Sequence, residues 1–355
     1  SKSDGRLSAN IEAALSHSVI LDIAGGFIPA DLARIYPEQP LNANISLNGN
    51  IDSLHIDTIH LQMPTTFNLQ GRGYVADILA TDSIRAHFTW IASTGKLDFV
   101  RKYLQLSGIN IPSMKLEAET RINGNRYEAE ATINRGHGTL QTQAYIDLDN
   151  MAYNAELYAN EINIRDFLPN DSLGKLTFSA KVKGHGTDLM SKATGFNGEF
   201  DLKHLEYKNW DIDNARLTAL LKRGKANVEL HCDNEILMTN ACVNANIDKE
   251  NSQLDFALSL NKINFQALGV SKDSVIASMV LNIDGGTDMK QHHRLVGSMH
   301  SIELATPDTT YYPLDLNIEI KTNDKDVLAR TNAGNLWFQF HASEGMDSLV
   351  HKLND

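Results

Sequence analysis

The amino-acid sequence predicts an all-β protein: an elongated, mostly antiparallel repeat array, curled into a groove or a partly open barrel, with a few short helices. Three observations carry this expectation. Apolar and polar residues alternate with period two along most of the chain, helical periodicity is confined to two short stretches, and a similar strand-and-turn unit recurs four times.

The alternation is plain in Leu41-Asn42-Ala43-Asn44-Ile45-Ser46-Leu47-Asn48, where one side-chain face is aliphatic and the other is Asn and Ser, as a half-buried strand requires. It continues in Leu116, Ala118, Thr120 and Ile122, in Tyr127, Ala129, Ala131 and Ile133, and in Leu140, Thr142, Ala144, Ile146 and Leu148. Leu176, Phe178, Ala180 and Val182 form the next such face, followed by Ala226, Val228, Leu230 and Cys232, and by Leu254, Phe256, Leu258 and Leu260. Towards the C-terminus it persists in Val275, Ala277, Met279, Leu281 and Ile283, in Tyr312, Leu314, Leu316, Ile318 and Ile320, and in Leu336, Phe338 and Phe340. At ordinary strand lengths this corresponds to roughly 18 strands and under about 15% helix. The helical stretches are residues 29–36 and residues 96–106, where Leu97, Val100 and Leu104 fall at i, i+3 and i+7. Both are short enough to serve only as caps or plugs.

Aligned against itself, the chain shows four loose units, each a short turn or helix, a loop, one alternating strand and a Gly-containing turn. Ile28 leads to the strand at residues 41–49, Leu97 to residues 115–124, Ile162 to residues 176–184 and Ile263 to residues 276–285. The closing glycines Gly49, Gly124, Gly184 and Gly285 lie 75, 60 and 101 residues apart, so whole hairpins have been gained or lost between units. A length of 355 residues would ordinarily suggest two domains, but a β array can run further around one core. The expectation is one continuous array over residues 1–355, with leading strands in 1–27 and units at about 28–96, 97–161, 162–262 and 263–355.

So many one-sided strands present a wide apolar face, and there is almost no helix to cover it. The sheet either closes into a barrel or sandwich filled by its own side chains, or curls incompletely into a trough whose lining stays accessible. Small residues at inward positions (Ala118, Thr120, Ala129, Ala131, Ala144, Ala180, Ala277) and only 7% aromatic residues favour the trough; the same residues would also suit a curved, crowded interior.

Composition removes several function classes. Lys and Arg number 32 against 44 Asp and Glu, giving a formal charge of −12, so no nucleic-acid partner is expected. The longest apolar-looking stretch, residues 19–30, is broken by Asp22 and Pro29 and falls short of the ~18 residues of a membrane helix. The opening Ser1-Lys2-Ser3-Asp4 is not a leader, so an internal piece is expected, with any membrane anchor elsewhere. Cys232 and Cys242 fall on opposite strand phases, which argues against a disulfide between them. Gly136-His137-Gly138, Gly184-His185-Gly186 and His292-His293 lack the spacing of a metal site and read as turn or loop chemistry. Asp284-Gly285-Gly286-Thr287-Asp288 is similar to a calcium-binding nonapeptide turn, but such sites need tandem copies. With no nucleophile elbow and no phosphate-cradling loop, the expectation is no enzyme, no metal and no cofactor.

One short pattern is over-represented. Asp-Ser/Thr-aliphatic or Thr triplets begin at Asp52, Asp57, Asp82, Asp171, Asp273, Asp308 and Asp347, seven in all. With 28 Asp and 44 Ser plus Thr, chance supplies roughly one to two. The triplet resembles an O-glycosylation sequon of proteins exported by some Gram-negative bacteria; it would equally arise where Asp-Ser closes a turn and an aliphatic residue starts the next strand.

The segment Leu176-Thr177-Phe178-Ser179-Ala180-Lys181-Val182-Lys183-Gly184-His185-Gly186-Thr187-Asp188-Leu189, followed by Phe196-Asn197-Gly198-Glu199-Phe200-Asp201-Leu202, resembles the strand, Gly-turn-Asp, next-strand repeat of the TamB and AsmA-like envelope protein family. Residues 276–288 followed by Leu295-Val296-Gly297-Ser298-Met299 are similar. The resemblance implies the internal β-repeat region of a bridge-like lipid-transfer protein, with no catalysis: a hydrophobic groove in a Gram-negative periplasm that conducts phospholipid between inner and outer membranes and supports outer-membrane biogenesis. Its implied partners are phospholipid acyl chains and, through regions outside this sequence, an outer-membrane barrel protein. In a trough, Phe178, Val182, Phe256, Leu258, Ala277, Met279 and Leu281 would line the apolar path. The competing expectation is a structural or adhesive β-protein with a closed core, whose Asn-rich face binds partner proteins or glycans.

Overall fold

The computed structural model describes residues 5–24, 34–50, 52–343 and 345. Among the described residues the strands belong to one open, antiparallel sheet of 22 strands that does not close into a barrel, with 63% of those residues in strands and 6% helical. The count exceeds the expected 18 partly because two strands are too short to display a period: β12 (Trp210–Ile212) and β19 (Thr310–Tyr311).

Contacts divide the chain into two compact units. The first holds Ser1–Ser179 and Leu205–Lys208. Its strands are β1 (Leu7–Leu15), β2 (Leu41–Gly49), β3 (Ser53–Met63), β4 (Phe67–Ala76), β5 (Arg85–Thr94), β6 (Lys115–Asn123), β7 (Arg126–Arg135), β8 (Gly138–Asp147) and β9 (Ala152–Asn163), each paired antiparallel with the next. The second holds Ala180–His204 and Asn209–Asp355. Most of β11 (Gly195–Tyr207) lies there, with β13 (Ala215–Lys222), β14 (Lys225–Asp233), β15 (Leu237–Asn246), β16 (Ser252–Asn264), β17 (Ile276–Thr287), β18 (His293–Ala305), β20 (Leu316–Thr322), β21 (Val327–Ala333) and β22 (Leu336–Ala342). These too form an antiparallel ladder in chain order, with β19 adding to one end of β18. The unit boundary falls within β10 (Leu173–His185).

Turn chemistry explains the tight connections. The loops Gly124-Asn125, Gly136-His137 and Gly334-Asn335 hold two residues each, and their glycines adopt φ of +57°, +58° and +57°. A glycine at the first central position is what a type II′ hairpin requires, because its twist matches that of the flanking strands. His137 is therefore a turn residue.

Bulges keep the apolar face in phase. Ile56 and Ile59 are three residues apart and would point to opposite faces of a regular strand. They pair with Gly73 and Gly71 of β4, so Asp57 and Thr58 together oppose one residue and both isoleucines share a face. Leu260 and Ile263 of β16 do the same opposite Met279 and Ala277.

Helix is sparse. Helix α1 (His17–Ala24) follows β1 and α2 (Asp98–Tyr103) follows β5. The stretch expected at 96–106 is shortened to α2, and Gln105 beyond it adopts φ +53°, which ends a right-handed helix. Of the stretch at 29–36, residues 34–35 are helical and 29–33 lie outside the described residues. The alternating run expected from Tyr312 is also corrected: β20 starts only at Leu316, while Tyr312 and Leu314 are exposed. Pro313 has no N–H to give the ladder. The four repeat strands become β2, β6, β10 and β17, and a helical or hydrogen-bonded turn precedes each: residues 34–35, α2, the 3₁₀ turn Ile164–Asp166 and residues 265–269.

One close approach carries a prediction. The Trp90 ring stacks on Phe88 at 5.2 Å and 19°, and its Nε1–H donates to Thr120 Oγ1 at 3.2 Å. It also lies over Gly71, where a Cβ would sit 2.5 Å from the ring. Gly71→Ala must displace Trp90, and overpacking of this kind costs about 1–3 kcal/mol. The expected result is a lower urea midpoint with altered tryptophan emission; an unchanged midpoint and spectrum would show that the ring yields freely.

Candidate functional site

The ladder registers align the apolar phases of successive strands into continuous cross-strand rows. In the first unit one row runs Ile11, Ile45, Ile59, Gly71, Trp90, Ala118, Ala131, Thr142, Leu157, directly opposed strand by strand from β1 to β9. Ala13, Ala43, Leu61, Leu69, Ala92, Leu116, Ile133, Leu140 and Ala159 form the adjacent row. In the second unit Phe200, Leu217, Leu230, Ala241, Leu258, Leu281, Met299, Leu316, Ala333 and Leu336 make a row across ten strands. Beside it run Gly198, Ala219, Val228, Val243, Phe256, Ile283, Gly297, Ile318, Thr331 and Phe338. None of these four rows contains a charged residue.

The apolar faces remain accessible. Ile11 is 49% exposed in the first unit, Leu217 37% and Phe338 56% in the second, and most other row residues are half-buried. Fully buried side chains sit instead near strand ends and turns, Met63 at the close of β3 and Ile236 just before β15.

Five of the seven residues expected to line a path come together in the second unit. Leu258 opposes Leu281, Met279 opposes Leu260, Ala277 opposes Ile263, and Phe256 opposes Ile283. Phe178 and Val182 lie four apart on β10 and so share a phase there, but Phe178 falls in the first unit and Val182 in the second. The faces of β2, β6, β7 and β8 were read as apolar, but no residue of β1 to β9 was named as path lining, and Trp90 and Phe88 were passed over, as were Val243, Leu217 and Met299 in the second unit. Their alternation was visible; their alignment with other strands depends on register.

The opposite face is polar, and several of its side chains bond to one another, although the buried His60 Nε2 has no partner among the described residues. Asn227 donates to Asn244 at 3.0 Å, Asn317 to Asn332 at 3.1 Å, and His231 faces Asn240 at 2.7 Å. His87 lies 2.7 Å from Glu119, and that hydrogen bond, with Arg121 alongside, holds the Glu119 carboxyl below the usual range despite some desolvation. Cys232 opposes Thr239 and Cys242 opposes Glu229, which places the two free thiols on opposite faces; burial pushes the Cys232 thiol up. Residues 284–287 belong to β17, and the Asp288 carboxylate accepts the backbone N–H groups of Lys290, Gln291 and His292 at 2.9–3.0 Å, the work of a turn.

Asp147, which ends β8, is 3% exposed. It accepts from the Asn150 side chain at 3.1 Å, from the backbone N–H of Asp149 and Asn150 at 3.0 and 3.3 Å, and from Arg126 at 3.2 Å. These bonds, that from the Asn150 amide foremost, hold its carboxyl below the ordinary value. A depressed folded-state pKa contributes stability above the unfolded value, near 3.9, which is lost as pH falls through the folded value. The urea midpoint of the protein is therefore expected to fall more steeply below about pH 4 than that of Asp147→Asn; parallel profiles would remove Asp147 from the account.

No protein family, curated protein or solved structure matches this chain. Its functional reading rests on the two faces of its own sheet.

Proposed function

We propose that the chain is a periplasmic segment of a hydrophobic-groove protein that conducts phospholipid between the inner and outer membranes, in support of outer-membrane biogenesis. The single observation behind this reading is the set of charge-free apolar rows, each crossing nine or ten strands and left half-exposed. An acyl chain gains about 0.8 kcal/mol per methylene removed from water. Strands repeat about every 4.8 Å, so a chain lying along a row meets a series of similar sites and can move from one to the next without leaving apolar surface. The zwitterionic or anionic headgroup stays in water. An outer-membrane barrel partner would be engaged through other regions. A closed-core adhesive role is less well supported, because the sheet is open.

Native mass spectrometry of the full-length protein from its own cell envelope tests the reading. Phospholipid is expected to co-purify and to be released by detergent. Recovery free of lipid from an envelope fraction, or a wholly cytosolic location, would overturn it.

A further inference from the structure

The Asp-Ser/Thr triplets have no part in an apolar conduit, and six of the seven lie among the described residues, that at Asp347 falling outside them. We infer that Ser274 and Thr309 are acceptor sites for an O-linked glycan, with Ser83 a further acceptor in the first unit.

Placement is the first support. Asp273-Ser274-Val275 immediately precedes β17, and Asp308-Thr309 forms the turn that enters β19. Ile276 opposes Ala305, which opposes Thr310, so both hydroxyls stand at one end of the second unit's ladder, clear of the apolar rows. Ser83 occupies the 3₁₀ turn Thr81–Ser83 that leads into β5. All three residues are exposed.

The hydrogen bonding is the second support. A triplet that merely closes a turn should show its Asp carboxylate bonded to the backbone two residues on. Asp171 does this, accepting from Leu173 N–H at 3.1 Å, and Ser172 beside it is half-buried. Asp82, Asp273 and Asp308 differ: among the described residues their carboxylates have no hydrogen-bond partner, and neither do the Ser274 and Thr309 hydroxyls. Ser83 donates only to Ala80 O, at 3.3 Å. Turn closure accounts for one triplet and leaves an exposed hydroxyl beside an unengaged carboxylate at these three. The paired groups are what an enzyme that reads Asp and modifies the next hydroxyl needs to find free.

The chemistry is a glycosyl transfer from a diphosphate-activated sugar. The Ser or Thr Oγ attacks the anomeric carbon and forms the new C–O bond. The bond from that carbon to the diphosphate breaks, its electron pair leaves with the diphosphate, and the hydroxyl proton passes to a base on the transferase. No redox change occurs. The inference does not depend on lipid conduction; a glycosylated protein that carried no lipid would satisfy it.

The test is intact-mass and peptide mass spectrometry of the full-length protein purified from its own cell envelope. A discrete carbohydrate increment is expected on the peptides holding Ser274 and Thr309, lost singly in Ser274→Ala and Thr309→Val. Asp273→Glu and Asp308→Glu should lose the same increments while retaining the hydroxyl and the charge, and Ser107, exposed but preceded by Leu106, should carry none. Circular dichroism of each variant shows whether it folds. Unmodified peptides at both positions in the envelope protein would overturn the assignment, as would increments that survive the Asp→Glu changes in folded protein.

Discussion

Met279→Arg or Ala277→Asp, introduced into the full-length protein, is expected to block lipid passage while the fold is retained. Met279 faces Leu260 and Ala277 faces Ile263 within the apolar phase of β16 and β17. A charge there keeps its hydration only while the row is empty, and an acyl chain sliding past must strip part of that water or detour through solvent. A penalty of about 2–3 kcal/mol at that step corresponds to roughly 30- to 150-fold slower passage. Ser278→Arg and Asn282→Asp place charges on the same strand facing the other way, opposite Glu303 and between Ala257 and Ser298, and should leave passage near normal. Lipid crosslinking and outer-membrane integrity read the effect, with circular dichroism as the check on folding. If inward and outward charges left both readouts equally intact in folded protein, the conduit reading would fail.

The largest stability losses are expected at Ile236 and Met63, each only 1% exposed. Ile236 sits in the turn between β14 and β15, where the Asn234 side chain accepts the backbone N–H of Ile236 and Leu237 at 3.0 Å and donates to Asp213 O at 3.0 Å. Asn264 N–H donates to Ile236 O at 2.9 Å, tying the end of β16 to the same turn. Met63 closes β3 beside a turn in which Gly95 and Lys96 donate to the backbone of Thr66 and Thr65 at 2.7 and 2.8 Å. Ile236→Ala and Met63→Ala should each cost about 2–5 kcal/mol. In a ladder whose strands touch mainly their neighbours, the loss should be local. Hydrogen exchange should quicken in β14, β15 and β16 for Ile236→Ala, and in β3, β4 and β5 for Met63→Ala, each leaving the other group unchanged. Uniform loss of protection across all six strands would mean that the ladders unfold as one unit.

Much of this was legible in the residues. Period two in Leu41, Ala43, Ile45 and Leu47 assigns the face of β2, because a pleated backbone sends successive side chains to opposite sides. The glycines at 124 and 136 marked turns, and the phases of Cys232 and Cys242 placed them on opposite faces before any partner strand was known. Alternation also showed that Phe256 and Leu258, or Met279 and Leu281, would share a side.

The tertiary structure decided which sides adjoin. Leu258 opposes Leu281 only through the ladder register, and Ile56 and Ile59 share a face only because the bulge at Asp57 and Thr58 absorbs a residue. Many alternating strands offer nearly equivalent partners, so local pattern cannot choose among them; the choice comes from hairpin turns, bulges and pairs such as Trp90 over Gly71, summed along the ladder. The same sum decides between an open and a closed sheet. Period two specifies that one face is apolar; strand-to-strand twist and register, which no single strand encodes, leave that face open here.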